Sequence, residues 1–98
     1  MSYNLEFLDP ALKEWKSLDP VIRVQFKKKL KERLVNPHIT KAKLLGSENR
    51  YKIKLRSSGF RLVYEVMDSE LVIIIIAVGK RDKSKVYKNA DKRSYGTN

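Results

Sequence analysis

Apolar and polar positions alternate without a break through Tyr51-Lys52-Ile53-Lys54-Leu55-Arg56, a period of two that predicts a strand. Tyr51, Ile53 and Leu55 point to one face of it, and Lys52, Lys54 and Arg56 to the other. Ser57-Ser58-Gly59 reads as a hairpin turn into a second strand, Phe60 to Met67, and an even loop places Arg61 on the face of the three cations. Asp68-Ser69-Glu70 is a tight turn into a third run, Leu71 to Val78, apolar at every position and so expected to be a central strand covered on both faces. Nearer the N-terminus, Tyr3 to Leu8 predicts a short first strand. Asp9-Pro10 and Asp19-Pro20 then each offer an aspartate N-cap followed by proline at the first helical position. They predict one helix from Pro10 to Ser17 and a longer one ending near Asn36, before Pro37. Ile22, Phe26, Leu30 and Leu34 form the apolar stripe of the longer helix, and weak spacing of Val86 and Ala90 marks a short helix between Asp82 and Arg93. The expected architecture is α+β. It is an antiparallel four-stranded sheet with two N-terminal helices packed on one face, cations on the other, and a short C-terminal helix.

Charge turns this outline toward function. The chain has 98 residues, 22 Lys plus Arg against 11 Asp plus Glu, and a net charge of +11, which calls for a polyanionic partner, nucleic acid first. The length suits a single domain over residues 1–98. The absence of cysteine excludes disulfides, thiolate nucleophiles and zinc-finger spacing. No secretory apolar region opens the chain, and Leu71 to Val78 is far shorter than the roughly 17 residues of a spanning helix. A soluble, cytoplasmic protein without a membrane partner is expected.

The residue types narrow the chemistry further. The one histidine, His38, sits beside Pro37 in an expected loop, so paired imidazoles cannot be assembled, and it reads as a solvated side chain. The acidic residues form no clustered set for magnesium, and Gly79-Lys80 lacks the surroundings of a phosphate-binding loop, so no metal or other cofactor is expected. RNA cleavage would have to rest on Lys, Arg and Tyr. Attack by a 2′-hydroxyl needs a base, charge stabilisation at phosphorus and a proton for the leaving oxygen. A lysine among cations is more easily deprotonated, arginine clamps phosphate, and tyrosine stacks on a base or donates its phenolic proton.

The run from Tyr51 to Tyr64, the strand end Val78-Gly79-Lys80-Arg81, Val86-Tyr87 and Ala11-Leu12-Lys13-Glu14-Trp15 together resemble the RelE family of toxins from bacterial toxin-antitoxin systems. The resemblance runs without gaps as far as Arg93. It implies a microbial-RNase-like fold and an mRNA interferase that enters the ribosomal A site and cuts the codon there, with 30S ribosomal RNA as a further contact. The family's active-site set falls on Lys52, Lys54, Arg61, Arg81 and Tyr87. It implies that Lys52 and Arg61 hold the scissile phosphate and that Arg81 stabilises charge or protonates the leaving group. Lys54 or Tyr87 is the base, with Tyr87 also stacking on the nucleotide. A RelB-like antitoxin would wrap an acidic amphipathic segment around the domain, displace the tail carrying Tyr87, and bring operator DNA to the complex indirectly. Leu45 departs from the pattern, standing where the family member compared carries arginine. Ser94 to Asn98 matches nothing and is expected to fray.

Plainer readings stand beside these. Lys52, Lys54 and Arg56 can serve as gatekeepers of a soluble sheet face. Arg61 can pair with Glu65, Arg81 can simply end a strand, and Tyr87 can anchor the tail. Trp15 and Phe26 read as core, and Lys27-Lys28-Lys29 as a solvated helix face within reach of ribosomal RNA. Two other functions fit the charge. One is a ParE-like gyrase poison, although such toxins generally lack this Lys, Arg and Tyr set; the other is a non-enzymatic basic RNA-binding protein.

Overall fold

The computed structural model describes residues 2–80 and 85–93. Strand β1 (Asn4–Phe7) leads into helices α1 (Asp9–Lys16) and α2 (Pro20–Val35); strands β2 (Arg50–Leu55), β3 (Phe60–Met67) and β4 (Val72–Lys80) follow, then helix α3 (Lys85–Lys92). The sheet order is β1-β4-β3-β2. Its two hairpin pairs are antiparallel as expected, but β1 runs parallel to β4, so the sheet is mixed rather than antiparallel throughout. The α1–α2 pair carries the chain across the sheet and back, so that β1 and β2 start from the same end, and two hairpins then return β4 alongside β1 in the same direction.

Proline stands at the start of both N-terminal helices, second in α1 and first in α2, but the aspartates do not cap them. Asp9 is the first residue of α1, and neither Leu8 nor Asp19, the N-cap residues, makes a side-chain capping bond. Asp9 still places its charge in the first turn, at the positive end of the helix dipole.

Two apolar clusters sandwich the sheet. On one face, Trp15 of α1 with Ile22, Phe26 and Leu30 of α2 pack on Ile53, Leu62, Tyr64, Ile73 and Ile75. On the other, Val86 and Ala90 of α3 pack on Val63, Ile74, Ile76 and Ala77. Ile73 through Ala77 are 0% exposed, which makes β4 the doubly covered central strand predicted from its composition. Val63 lies opposite Ala77 but Tyr64 lies opposite Ile75, so Ile76 is an extra residue, a β-bulge. The bulge lets consecutive residues Ile76 and Ala77 both join the α3 cluster before Val78 returns to the other side.

A polar chain stitches the far end of the sheet. The Tyr3 hydroxyl donates to Asp68 Oδ1 at 2.6 Å, and His38 Nε2 meets the same oxygen at 2.8 Å while its Nδ1 lies 2.9 Å from the Tyr51 hydroxyl. Tyr51 stacks on Tyr64, whose hydroxyl donates to the Pro37 carbonyl and accepts from Arg33 Nη1. His38, expected to be merely solvated, is therefore a tether between β2 and the turn after β3. The hydrogen bond from Tyr3, then that from His38, hold the Asp68 carboxyl below its ordinary value of 3.8. A depressed carboxyl contributes stability that is present above its unfolded value and is lost as pH falls through the folded one. The thermal midpoint of the wild-type protein should therefore fall faster than that of Asp68→Asn below about pH 4, the two curves converging. Parallel curves would show that the Asp68 charge is not engaged.

Candidate active site

Strand β2 presents Lys52 and Lys54 on the face opposite its buried residues Tyr51, Ile53 and Leu55, as its alternation predicts. The loop 56–59 holds four residues, so Lys54 lies directly opposite Arg61 on β3, the register that an even loop requires. Arg56 opens this loop rather than ending the strand. Gly59 closes it at φ +76°, a left-handed conformation that a side chain would strain, and its N–H donates to the Leu55 carbonyl at 2.9 Å.

Arg61 is buried, with 6% of its surface exposed. Its Nη1 donates to the Phe60 carbonyl at 3.0 Å, but its Nε is buried without a hydrogen-bond partner among the described residues. The pairing with Glu65 that the sequence allowed does not form, because Glu65 lies opposite Arg50 and accepts from Arg50 Nε at 2.9 Å. A desolvated cation with an orphan N–H is an unmet demand for an acceptor.

Arg61 also lines a cleft of about 380 Å³ together with Lys52, Lys54 and Tyr87, with Lys43, Leu44 and Leu45 completing it. Four of the five expected site residues thus converge, from β2, β3 and α3; Arg81 and the tail 94–98 lie outside the described residues. Among the described residues no carboxylate lines the cleft, so its four cations concentrate positive potential where an anion would sit. Tyr87 both packs against the apolar cluster beneath α3 and lines the cleft, so its anchoring and functional readings hold together. Leu45 is fully exposed at this cleft, a neutral side chain among cations. Trp15 and Phe26 lie in the core, as expected.

A second basic groove of about 670 Å³ runs between α2 and β2, lined by Lys28, Lys29, Lys54 and Arg56 among others. Lys54 is shared by both, so β2 forms a ridge between two cationic surfaces. Lys43 was not singled out from the sequence, since it lies in an irregular connection where no periodicity assigns a face. Among the described residues no group of three or more His, Cys, Asp or Glu side chains is placed to hold a metal ion, and no helix is long and apolar enough to cross a membrane.

The sequence matches, over residues 5–84, the family described as the ParE toxin of the type II toxin-antitoxin system parDE. It is also 56% identical over 93 residues to a RelE-like toxin protein of Escherichia coli, covering 95% of this chain and 98% of that one. The chain belongs to the RelE/ParE family of type II toxins. The mRNA interferase toxin RelE of Escherichia coli K12 is 54% identical with the same coverage. The free-state structure of Escherichia coli toxin RelE with two arginines replaced superposes with a TM-score of 0.89 at 52% identity, covering 97% of this chain and 100% of that one. RelE in the intact Escherichia coli RelBE toxin-antitoxin complex gives 0.79 at 53% identity, covering 81% and 96%.

In this RelE-type chain the buried guanidinium carries a stability cost when no anion is bound. Arg61→Met should therefore stabilise the ligand-free protein by about 1–3 kcal/mol while lowering its affinity for RNA oligonucleotides. Urea unfolding and fluorescence anisotropy would check both; a loss of stability would mean that Arg61 is supported by its surroundings.

Proposed function

We propose that this chain is the toxin of a type II toxin-antitoxin pair, a ribosome-dependent mRNA interferase that acts as one domain in the cytoplasm and cuts mRNA in the ribosomal A site. The observation that carries this reading is the convergence of Lys52, Lys54, the buried Arg61 and Tyr87 on one cleft that no carboxylate lines among the described residues. Its substrate is a phosphodiester. The guanidinium of Arg61 and the ammonium of Lys52 take the non-bridging oxygens, and their charge is worth most as negative charge grows in the phosphorane. Lys54, fixed on a strand opposite Arg61, removes the 2′-hydroxyl proton, the new bond from O2′ to phosphorus forms, and the bond to O5′ breaks. Arg81 stabilises the departing O5′, which takes up a proton from solvent, and Tyr87 stacks on the nucleotide. The products are a 2′,3′-cyclic phosphate and a 5′-hydroxyl, and the reaction needs no metal.

The lining also supports ribosome dependence. Among the described residues its lining offers cations, leucines and one aromatic ring but no amide or carboxylate side chain, and with the cations engaged on phosphate little is left to read base edges, which favours an mRNA that arrives already ordered. The groove beside α2 supplies further cations for ribosomal RNA. A RelB-like antitoxin with an acidic amphipathic segment complements the charge of +11, and contact with operator DNA would come through it. The match to a family described by ParE keeps a gyrase poison as the second reading. The cleft chemistry and the 54–56% identity to RelE proteins favour the first.

Primer extension on mRNA translated in a purified system should reveal new 5′ ends inside the A-site codon, only with ribosomes present. Arg81→Ala or Lys54→Ala should lower the cleavage rate about 10²–10⁴-fold with ribosome binding retained. Stalled but intact mRNA would make the protein a binding inhibitor, and undisturbed translation would point to gyrase.

A further inference from the structure

We propose that Arg50 and Arg93 are positioning residues for Tyr87, clamping the C-terminal end of α3 so that the phenol is held over the cleft. The inference rests on the interferase reading for its consequence and on the hydrogen bonds of α3 for its mechanism.

Helix α3 has eight residues, too few to persist alone in water. Its fully buried apolar contacts are Val86 and Ala90, one turn apart, and alanine brings little area. Its C-terminal end is held by polar bonds instead. Arg50, two residues before Lys52 on β2, donates from Nη1 to the Ala90 carbonyl and from Nη2 to the Arg93 carbonyl, while its Nε is fixed by Glu65. A guanidinium here adds a bond to the Ala90 carbonyl, which also accepts from the Arg93 N–H at 3.1 Å, and meets the negative end of the dipole. The Arg50 and Glu65 side chains are 15% and 17% exposed, which sets this pair apart from weak, solvated surface pairs.

Arg93 ties the same end to the opposite side of the fold. It meets Glu14 of α1 through two bonds, Nη1 to Oε1 at 2.9 Å and Nη2 to Oε2 at 3.1 Å, and Nη1 also donates to the carbonyl of the bulge residue Ile76 at 2.8 Å. Glu14 is itself held by the Val78 N–H at 3.1 Å. Tyr87 lies on the helix between its two apolar anchors. Neither arginine lines the cleft, yet Arg50 belongs to the strand that carries Lys52 and Lys54. The clamp therefore sets the distance between the phenol and the two lysines.

Two measurements on the full chain test this. Amide hydrogen exchange should show residues 86–92 exchanging about ten-fold faster in Arg50→Ala and in Arg93→Ala, with β3 and β4 unchanged. Single-turnover cleavage on programmed ribosomes should slow about ten-fold in each variant with ribosome affinity unchanged, and Arg50→Lys, which keeps a charge for Glu65, should restore part of the rate. In a Tyr87→Ala background neither arginine replacement should cost anything further, because both act through Tyr87. Unchanged α3 exchange, or losses that add to that of Tyr87→Ala, would overturn the proposal. If wild-type protein leaves mRNA intact, the interferase reading falls and the role of Tyr87 with it, while the exchange data separately uphold or sink the clamp.

Discussion

Strand β4 is the constraint on which the rest of the structure depends. Val72 to Val78 carries no polar side chain, and leaving either face in water would forfeit roughly 1.5–3 kcal/mol for each isoleucine or valine exposed. One face is covered by α1 and α2, so the other needs α3. A helix is roughly 10 Å across and strands are spaced about 4.8 Å apart, so one helix shelters about two strands. In the order β1-β4-β3-β2, α3 lies over the central pair β4 and β3 and leaves the edge strands uncovered on that face, β2 among them. The cleft lies where cover runs out.

An uncovered sheet face must be polar, and here each polar position of β2 is a cation: Arg50, Lys52, Lys54. Arg50 is paired with Glu65, so Lys52 and Lys54 carry the charge of this strand to the cleft, where the proposed function has an RNA backbone meet it. Arg61 sits at the boundary, on β3 next to covered Val63, and is desolvated by structure built for its apolar neighbours. In the proposed function the cost of burying this cation is recovered at the substrate, the usual trade between stability and activity.

Much of this was legible in the sequence because it rests on local patterns. Period two in Tyr51 to Leu55 assigns the lysines to one face, and an even loop carries that assignment to Arg61. The direction of β1 was not legible, because four residues with mostly exposed side chains carry no alternation and parallel pairing is decided by the path of the helices. Nor was the bulge at Ile76, since a uniform isoleucine run hides a register shift. His38, Arg50 and Arg93 read as ordinary polar residues because their partners lie 13 to 79 positions away. The burial of Arg61 is illegible for a related reason: alternation gives its direction, but its solvation depends on what the fold places around it.

The narrowness of α3 and the polar clamps at its end have one cause. A wider apolar face, or a longer helix, would hold α3 more firmly, but it would also spread over β2 and bury the surface on which Lys52 and Lys54 stand. The helix must therefore stay short, with Val86 and Ala90 as its deepest contacts, and further holding force has to come from its end. Hydrogen bonds to terminal carbonyls suit that position, since they act along the helix axis and occupy no area on the cleft side. Arg50 meets this need from the open strand itself, converting one of that strand's outward cations into a brace and leaving the other two to face the cleft.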